Sequence, residues 1–60
     1  MRKSGKGTIT IPLGTSLGRA ERLVIDATLR HAAGNVSNAA KMLGIHRSTL
    51  YDKIRVYKLR

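Results

Sequence analysis

Gly44-Ile45-His46 constrains this chain more than any other three residues in it. Helical apolar spacing runs up to it and resumes straight after it. Upstream, "NVSNAAKML" sets Val36, Ala39, Ala40 and Leu43 at i, i+3, i+4 and i+7, with Asn35 as cap and Gly44 as stop, predicting a helix over 36–43. Downstream, Leu50, Ile54 and Tyr57 share one face of a helix predicted over 47–58. A gap this short has no room for a strand or a structured loop, so the second helix must turn directly onto the first. That is a helix-turn-helix. Ile45 plugs the angle of the turn, and Ala39 and Ala40 are small enough for close approach.

The segment "SLGRAERLVIDATLRHAAG" predicts a longer helix over 17–33, capped by Ser16 and closed by a left-handed Gly34, with Gly18 weakening its first turn. At 100° per residue, Arg19, Arg22, Asp26 and Arg30 fall on one strip, which offers the pairs Arg22–Asp26 and Asp26–Arg30. The rest of the circumference carries Leu17, Ala20, Leu23, Val24, Ile25, Ala27, Thr28, Leu29 and Ala32. This arc is broader than the roughly 100° stripe of an ordinary surface helix. Two short helices cover only part of it. A chain of 60 residues without cysteine has no disulfide to compensate for a small core. A homodimer is therefore expected, with Leu17, Ala20, Leu23, Val24, Ile25, Thr28 and Leu29 at its interface. Glu21 points into the same arc and is expected to pair with a base of the partner subunit.

Before this helix, "TITIP" alternates and stops at Pro12, a short strand pattern. With no ladder partner in the sequence it is either an extended arm or a strand paired with a second copy. Residues 1–7, "MRKSGKG", have nothing to bury and read as a flexible basic tail or linker. The expected architecture is all-α: a three-helix domain over 8–60 with a C-terminal helix-turn-helix, preceded by a short arm or strand.

Charge narrows the function. Twelve Lys and Arg against three acidic residues give +9, which calls for a polyanion. The longest apolar run, Leu23 to Ile25, spans no bilayer, and no signal-peptide core is visible, consistent with a cytoplasmic, nucleoid-associated setting. Only Tyr51 and Tyr57 are aromatic, too few for a single-strand stacking platform. His31 and His46 are too far apart to suggest metal, so neither metal nor cofactor is expected. The scattered acidic residues form no catalytic cluster.

Double-stranded DNA is the polyanion that the helix-turn-helix fits, since its second helix offers its N-terminal residues to the major groove. Arg47, Ser48, Thr49, Tyr51, Asp52 and Arg55 lie away from the Leu50–Ile54–Tyr57 face and are the candidate DNA contacts. His46 and Lys53 join them, as do Asn35, Ser37 and Asn38 at the start of the preceding helix, the end that crosses the phosphate backbone. Each has a structural alternative: Arg47 as a solvated charge, Ser48 and Thr49 as first-turn residues, Tyr51 as half-buried packing, and Asn35, Ser37 and Asn38 as caps. Lys53, Arg55 and Lys58 suit phosphates better than bases. Asp52 opposes DNA unless it pairs with Arg55 or accepts from a cytosine amino group.

The run "GNVSNAAKMLGIHRSTLYDKI" followed by "VYKL" resembles the Fis-type helix-turn-helix: a Gly-Asn start, paired alanines, a Leu-Gly-Ile turn, an Arg-x-Thr-Leu second helix and a tyrosine near its end. Upstream, "IPLGTSLGRAERLVIDATL" resembles the segment before that motif in sigma-54-dependent activators of the NtrC type. The resemblance covers residues 9 to 60. It implies a transcriptional regulator that dimerises through its first helix and binds palindromic enhancer sites. Sigma-54 polymerase would be engaged only through parent domains, because this chain holds no GxxxxGK[ST] loop. Two departures concern the caps: His46 stands where the family has a better one such as Ser or Asn, and Arg19 stands where Glu would complete a capping box with Ser16. The acidic Asp52 is the third. Competing readings are a free-standing nucleoid protein of the Fis type, the DNA-binding end of a recombinase, and a cationic membrane-surface peptide. Short, separately capped helices argue against the last.

Overall fold

In the computed structural model, which describes residues 8–59, the chain enters its first helix through a tight turn at Pro12. The Thr15 amide donates to the Pro12 carbonyl at 3.2 Å and the Thr15 hydroxyl adds a 2.7 Å bond to the same oxygen. Gly14, at φ 96°, takes the third position of this turn, where a type II geometry needs positive φ. Residues 8–11 form neither helix nor strand, so within one chain they are an arm. The expected basic tail, residues 1–7, lies outside the described residues.

Three helices follow: α1 (Leu17–His31), α2 (Val36–Leu43) and α3 (Arg47–Tyr57). Among the described residues there is no strand, and the all-α expectation stands. Ser16 caps α1 by accepting from the Arg19 amide at 3.2 Å. Asn35 does the same for α2 with the Asn38 amide at 3.0 Å. His46 precedes α3 without a side-chain cap bond.

The helix ends share one chemistry, and it corrects two predicted boundaries. Helix α1 stops at His31 rather than at 33 because Ala33 itself turns left-handed, at φ 55°, ahead of Gly34. The Ala33 amide returns to the Arg30 carbonyl at 3.0 Å and the Gly34 amide to Leu29 at 2.9 Å, a Schellman pair. Gly34 has the positive φ expected of it, at 81°, but one position beyond the C′ place that Ala33 holds. In α2 the left-handed residue is Gly44, as predicted, with the Ile45 amide on the Ala40 carbonyl at 3.1 Å. Helix α3 ends at Tyr57, one residue early, because Lys58 is left-handed and the Leu59 amide closes onto Ile54 at 3.0 Å. Ile45 and Leu59 then pack back on the core, the hydrophobic contact that accompanies this motif.

The core is drawn from all three helices: Ile25 and Leu29, Val36 with Ala39 and Ala40, and Leu50 with Ile54. Helix α2 packs against both α1 and α3, and its two alanines allow this because neither keeps the backbones apart. Leu50 is completely buried; burial of a leucine side chain stabilises by about 1.5–3 kcal/mol. One expectation changes here. Ile25 and Leu29 were placed at a subunit interface, yet they are 3% and 6% exposed within their own chain. Three helices turned on each other cover this side of α1 without help. Leu17 and Leu23 stay exposed, while Ala20, Val24 and Thr28 are half-buried. The Thr28 hydroxyl is occupied by the Val24 carbonyl at 2.7 Å.

Candidate nucleic-acid interface

The turn over Gly44–His46 brings the start of α3 beside the start of α2. Arg47 marks the junction: its guanidinium donates to the Ser37 hydroxyl at 3.3 Å, tying the two N-termini together. Helix N-termini present unpaired amides and the positive end of the helix dipole, so both ends favour an anion on the same side of the molecule. Asn35, Ser37, Asn38, His46, Arg47, Ser48, Thr49, Tyr51, Asp52 and Arg55 are all exposed. With Leu50 and Ile54 anchored in the core, Arg47, Ser48, Thr49, Tyr51 and Asp52 in the first two turns of α3 face outward.

Within this surface the polar groups are partly organised. The Ser48 hydroxyl lies 3.2 Å from His46 Nδ1, so the imidazole bonds the side chain of the first turn instead of capping its amides. Asp52 meets Arg55 at 2.8 Å, which offsets its negative charge in the way the sequence allowed. The other acidic groups are matched as well, Asp26 by Arg30 at 3.2 Å and Glu21 by Lys53 at 2.7 Å. The net positive charge is therefore left to groups such as Arg47, Lys41 and Lys58, all exposed. Arg22 does not take up the expected pair with Asp26. Its Nε donates to the Tyr57 carbonyl at 3.4 Å, at the end of α3.

Lys53 departs from the set. Expected among the phosphate contacts, it is half-buried and turned back to α1, with Nζ 2.7 Å from Glu21 Oε2. The Tyr57 hydroxyl donates to the same carboxylate oxygen at 2.8 Å. Glu21, expected to meet a partner subunit, is thus satisfied within its own chain. The Lys53 and Tyr57 hydrogen bonds hold the Glu21 carboxyl below its ordinary value. The same carboxylate raises Lys53 and Tyr57 above theirs. Sequence reasoning missed this cluster, though a trace of it was there. Lys53 and Tyr57 are one turn apart, and Glu21 has no basic residue at i±3 or i±4 on its own helix, so its partner had to come from another.

Among the described residues no group of three His, Cys, Asp or Glu side chains could hold a metal, and no helix is long and apolar enough to cross a membrane. A helix-turn-helix with a hydroxyl- and arginine-bearing start to its second helix is what the fold and this surface define. Residues 16–57 match the family described as "Bacterial regulatory protein, Fis family", and the chain belongs to that family. It is 42% identical over 45 residues to a "Signal-transduction and transcriptional-control protein" of Clostridium beijerinckii, covering 75% of this chain and 7% of that protein. It is 39% identical over 41 residues to "DNA-binding protein Fis" of Aliivibrio fischeri (strain MJ11), covering 68% and 42%. Against the Fis protein of Glaesserella parasuis the identity is 42%, with the same coverage. The chain thus spans less than half the length of these relatives. No solved structure gives a significant match.

Proposed function

We propose that this chain binds double-stranded DNA with sequence specificity, as a homodimer on inverted repeats, in the service of transcriptional regulation. The observation that carries the reading is the exposed start of α3, where Arg47, Ser48, Thr49 and Tyr51 project beside the N-terminus of α2. Arg47 is assigned a bidentate contact to guanine, while Ser37, Asn38 and Ser48 hold phosphates and fix the register. Arg55 and Lys58 contribute charge along the backbone. The transcriptional-control protein of Clostridium, of which the chain covers 7%, supports placing the chain within a larger transcriptional regulator. That this regulator is a sigma-54-dependent activator rests on the resemblance of residues 9–60. The Fis relatives support a second reading with the same chemistry, a nucleoid protein of the Fis type. An antibody raised to this chain separates them by the mass of the cellular protein it detects.

Selection from a random duplex library supplies the test. Enriched sequences are expected to contain an inverted repeat whose half-sites lie about one helical turn (about 34 Å) apart. On that site Arg47→Ala is expected to cost about 1–3 kcal/mol of discrimination against a scrambled duplex. Lys58→Ala is expected to weaken both duplexes alike. Equal losses on both duplexes for Arg47→Ala would move base reading to Thr49, Tyr51 or Asp52. Failure to enrich any sequence would overturn specific binding itself.

A further inference from the structure

Lys53 lies on the helix assigned to DNA, carries the charge that DNA attracts, and points away. Its ammonium and the Tyr57 hydroxyl meet on one oxygen of Glu21, at 2.7 and 2.8 Å, joining residues 32 and 36 positions apart in sequence. The carboxylate belongs to α1 and both donors to α3. Helix α2 packs on both of these helices, and beyond the apolar anchoring of Leu50 and Ile54 the polar ties between α1 and α3 fix how α3 is turned about its own axis. Two donors one turn apart converging on one acceptor oppose a roll about that axis. A second tie acts in the same sense, from Arg22 Nε on α1 to the Tyr57 carbonyl. Glu21 and Lys53 line an apolar groove with Leu17, Ala20, Val24 and Ile45, on the side of α1 that stays partly open.

We propose that Glu21, Lys53 and Tyr57 form a positioning joint that fixes the rotation of α3 relative to α1, and that Lys53 serves specificity through Glu21 without contacting phosphate. The proposal rests on the DNA-binding reading above and adds to it how the reading helix is held. A bidentate arginine–guanine contact tolerates little misorientation, so a few degrees of roll at α3 weaken the matched site selectively. Nonspecific attraction depends on how many phosphates are neutralised and survives the same roll.

The experiment measures affinity for the selected site and for a scrambled duplex across a salt series, at a temperature where circular dichroism shows each variant folded. Lys53→Met is expected to lower the matched-to-scrambled ratio about three- to tenfold while leaving the slope of log K against log salt at the wild-type value. Glu21→Gln, which keeps the bulk and an acceptor for Tyr57, is expected to lower the ratio in the same direction. Combining it with Lys53→Met should lower the ratio no further than Lys53→Met alone, because either change already removes the Glu21–Lys53 ion pair. Lys53→Arg, which can still reach Glu21, is expected to retain most of the wild-type ratio. A slope that flattens by about 0.9 in Lys53→Met would make Lys53 a phosphate ligand and overturn the proposal. An unchanged ratio, or additive losses in the double variant, would overturn it equally. If Lys53→Met does not fold, Glu21→Gln decides by the same ratio. Wild-type protein that discriminates between no duplexes would overturn the sequence-specific reading first, and the joint's role in specificity with it.

Discussion

Ala33 is, with Lys58, one of two described non-glycine residues whose backbone is left-handed. It sits at φ 55°, where the Cβ of an L-residue crowds the following carbonyl, and the glycine that would be at ease there is one position later. The position tolerates it because the Ala33 and Gly34 amides both find carbonyls in the last turn of α1. Ala33→Gly removes the crowding and costs some unfolded-state entropy. The net effect is an expected gain of roughly 0.5–1 kcal/mol, read as a raised denaturation midpoint with an unchanged slope against denaturant. A loss of stability would show that the alanine methyl contributes packing that outweighs its strain. His46 is unusual in its side chain rather than its backbone. It occupies the cap position of α3 but spends its ring nitrogen on Ser48, leaving the first-turn amides of α3 without a side-chain partner. On a surface assigned to phosphate, amides left open at a helix start are a binding feature as much as a stability cost.

Between elements, the joint of α1 and α3 makes stability depend on pH in a direction fixed by its bonds. The Glu21 carboxyl is held below its ordinary 4.5 by the Lys53 and Tyr57 hydrogen bonds, so its contribution is complete above that value. It is lost as pH falls through the lowered folded value. Lys53 is raised above 10.5 and Tyr57 above 10.0 by the same carboxylate, so their contributions are complete below those values and lost as pH rises beyond them. The melting temperature of the wild type is therefore expected to exceed that of Glu21→Gln by a constant amount across the neutral range. That excess should shrink at both the acid and the alkaline edge. A difference that stays constant to either extreme would mean that the bonds seen here contribute nothing to folding. The pairs Asp26–Arg30 and Asp52–Arg55 are solvent-accessible and lie within single helices, so they bear little on how the helices sit on one another.

At the scale of the whole molecule, α1 keeps large apolar side chains uncovered. Leu17 is 84% exposed and Leu23 41%, and Leu13 before them is fully exposed. Exposure of that kind on so small a protein fits the homodimer proposed above, now resting on Leu17, Ala20, Leu23 and Val24 rather than on Ile25 and Leu29. Sedimentation at micromolar concentration is expected to give twice the 6.6 kDa chain mass. Leu23→Asp, placing a charge on a face that the single chain leaves open, should return it to monomer with its helical content intact. A wild-type monomer would end the dimer proposal, and with it the geometric basis for an inverted repeat. Ile25→Asp would not serve, because it strikes the chain's own core.

Local rules were enough to read the helices from the sequence. Periodicity placed Val36, Ala39, Ala40, Leu50 and Ile54 inward, the caps at Ser16 and Asn35 fall where hydroxyl and amide side chains stand, and Gly44 had to turn left-handed. The outward set around Arg47 followed from the same wheel, since whatever is not on the Leu50–Ile54 face of α3 is left to solvent. Tertiary structure decided what depends on two helices at once. It chose which side of the broad apolar arc of α1 goes to the core, giving Ile25 and Leu29 to α2 and α3 and leaving Leu17 and Leu23 open. It also took Lys53 from the outward set and gave it to Glu21. A helical wheel fixes the angle of a side chain about its own axis, whereas the rotation of one helix against another is set by packing. Small alanines at the crossing let the helices approach until Glu21 came within reach of Lys53 and Tyr57.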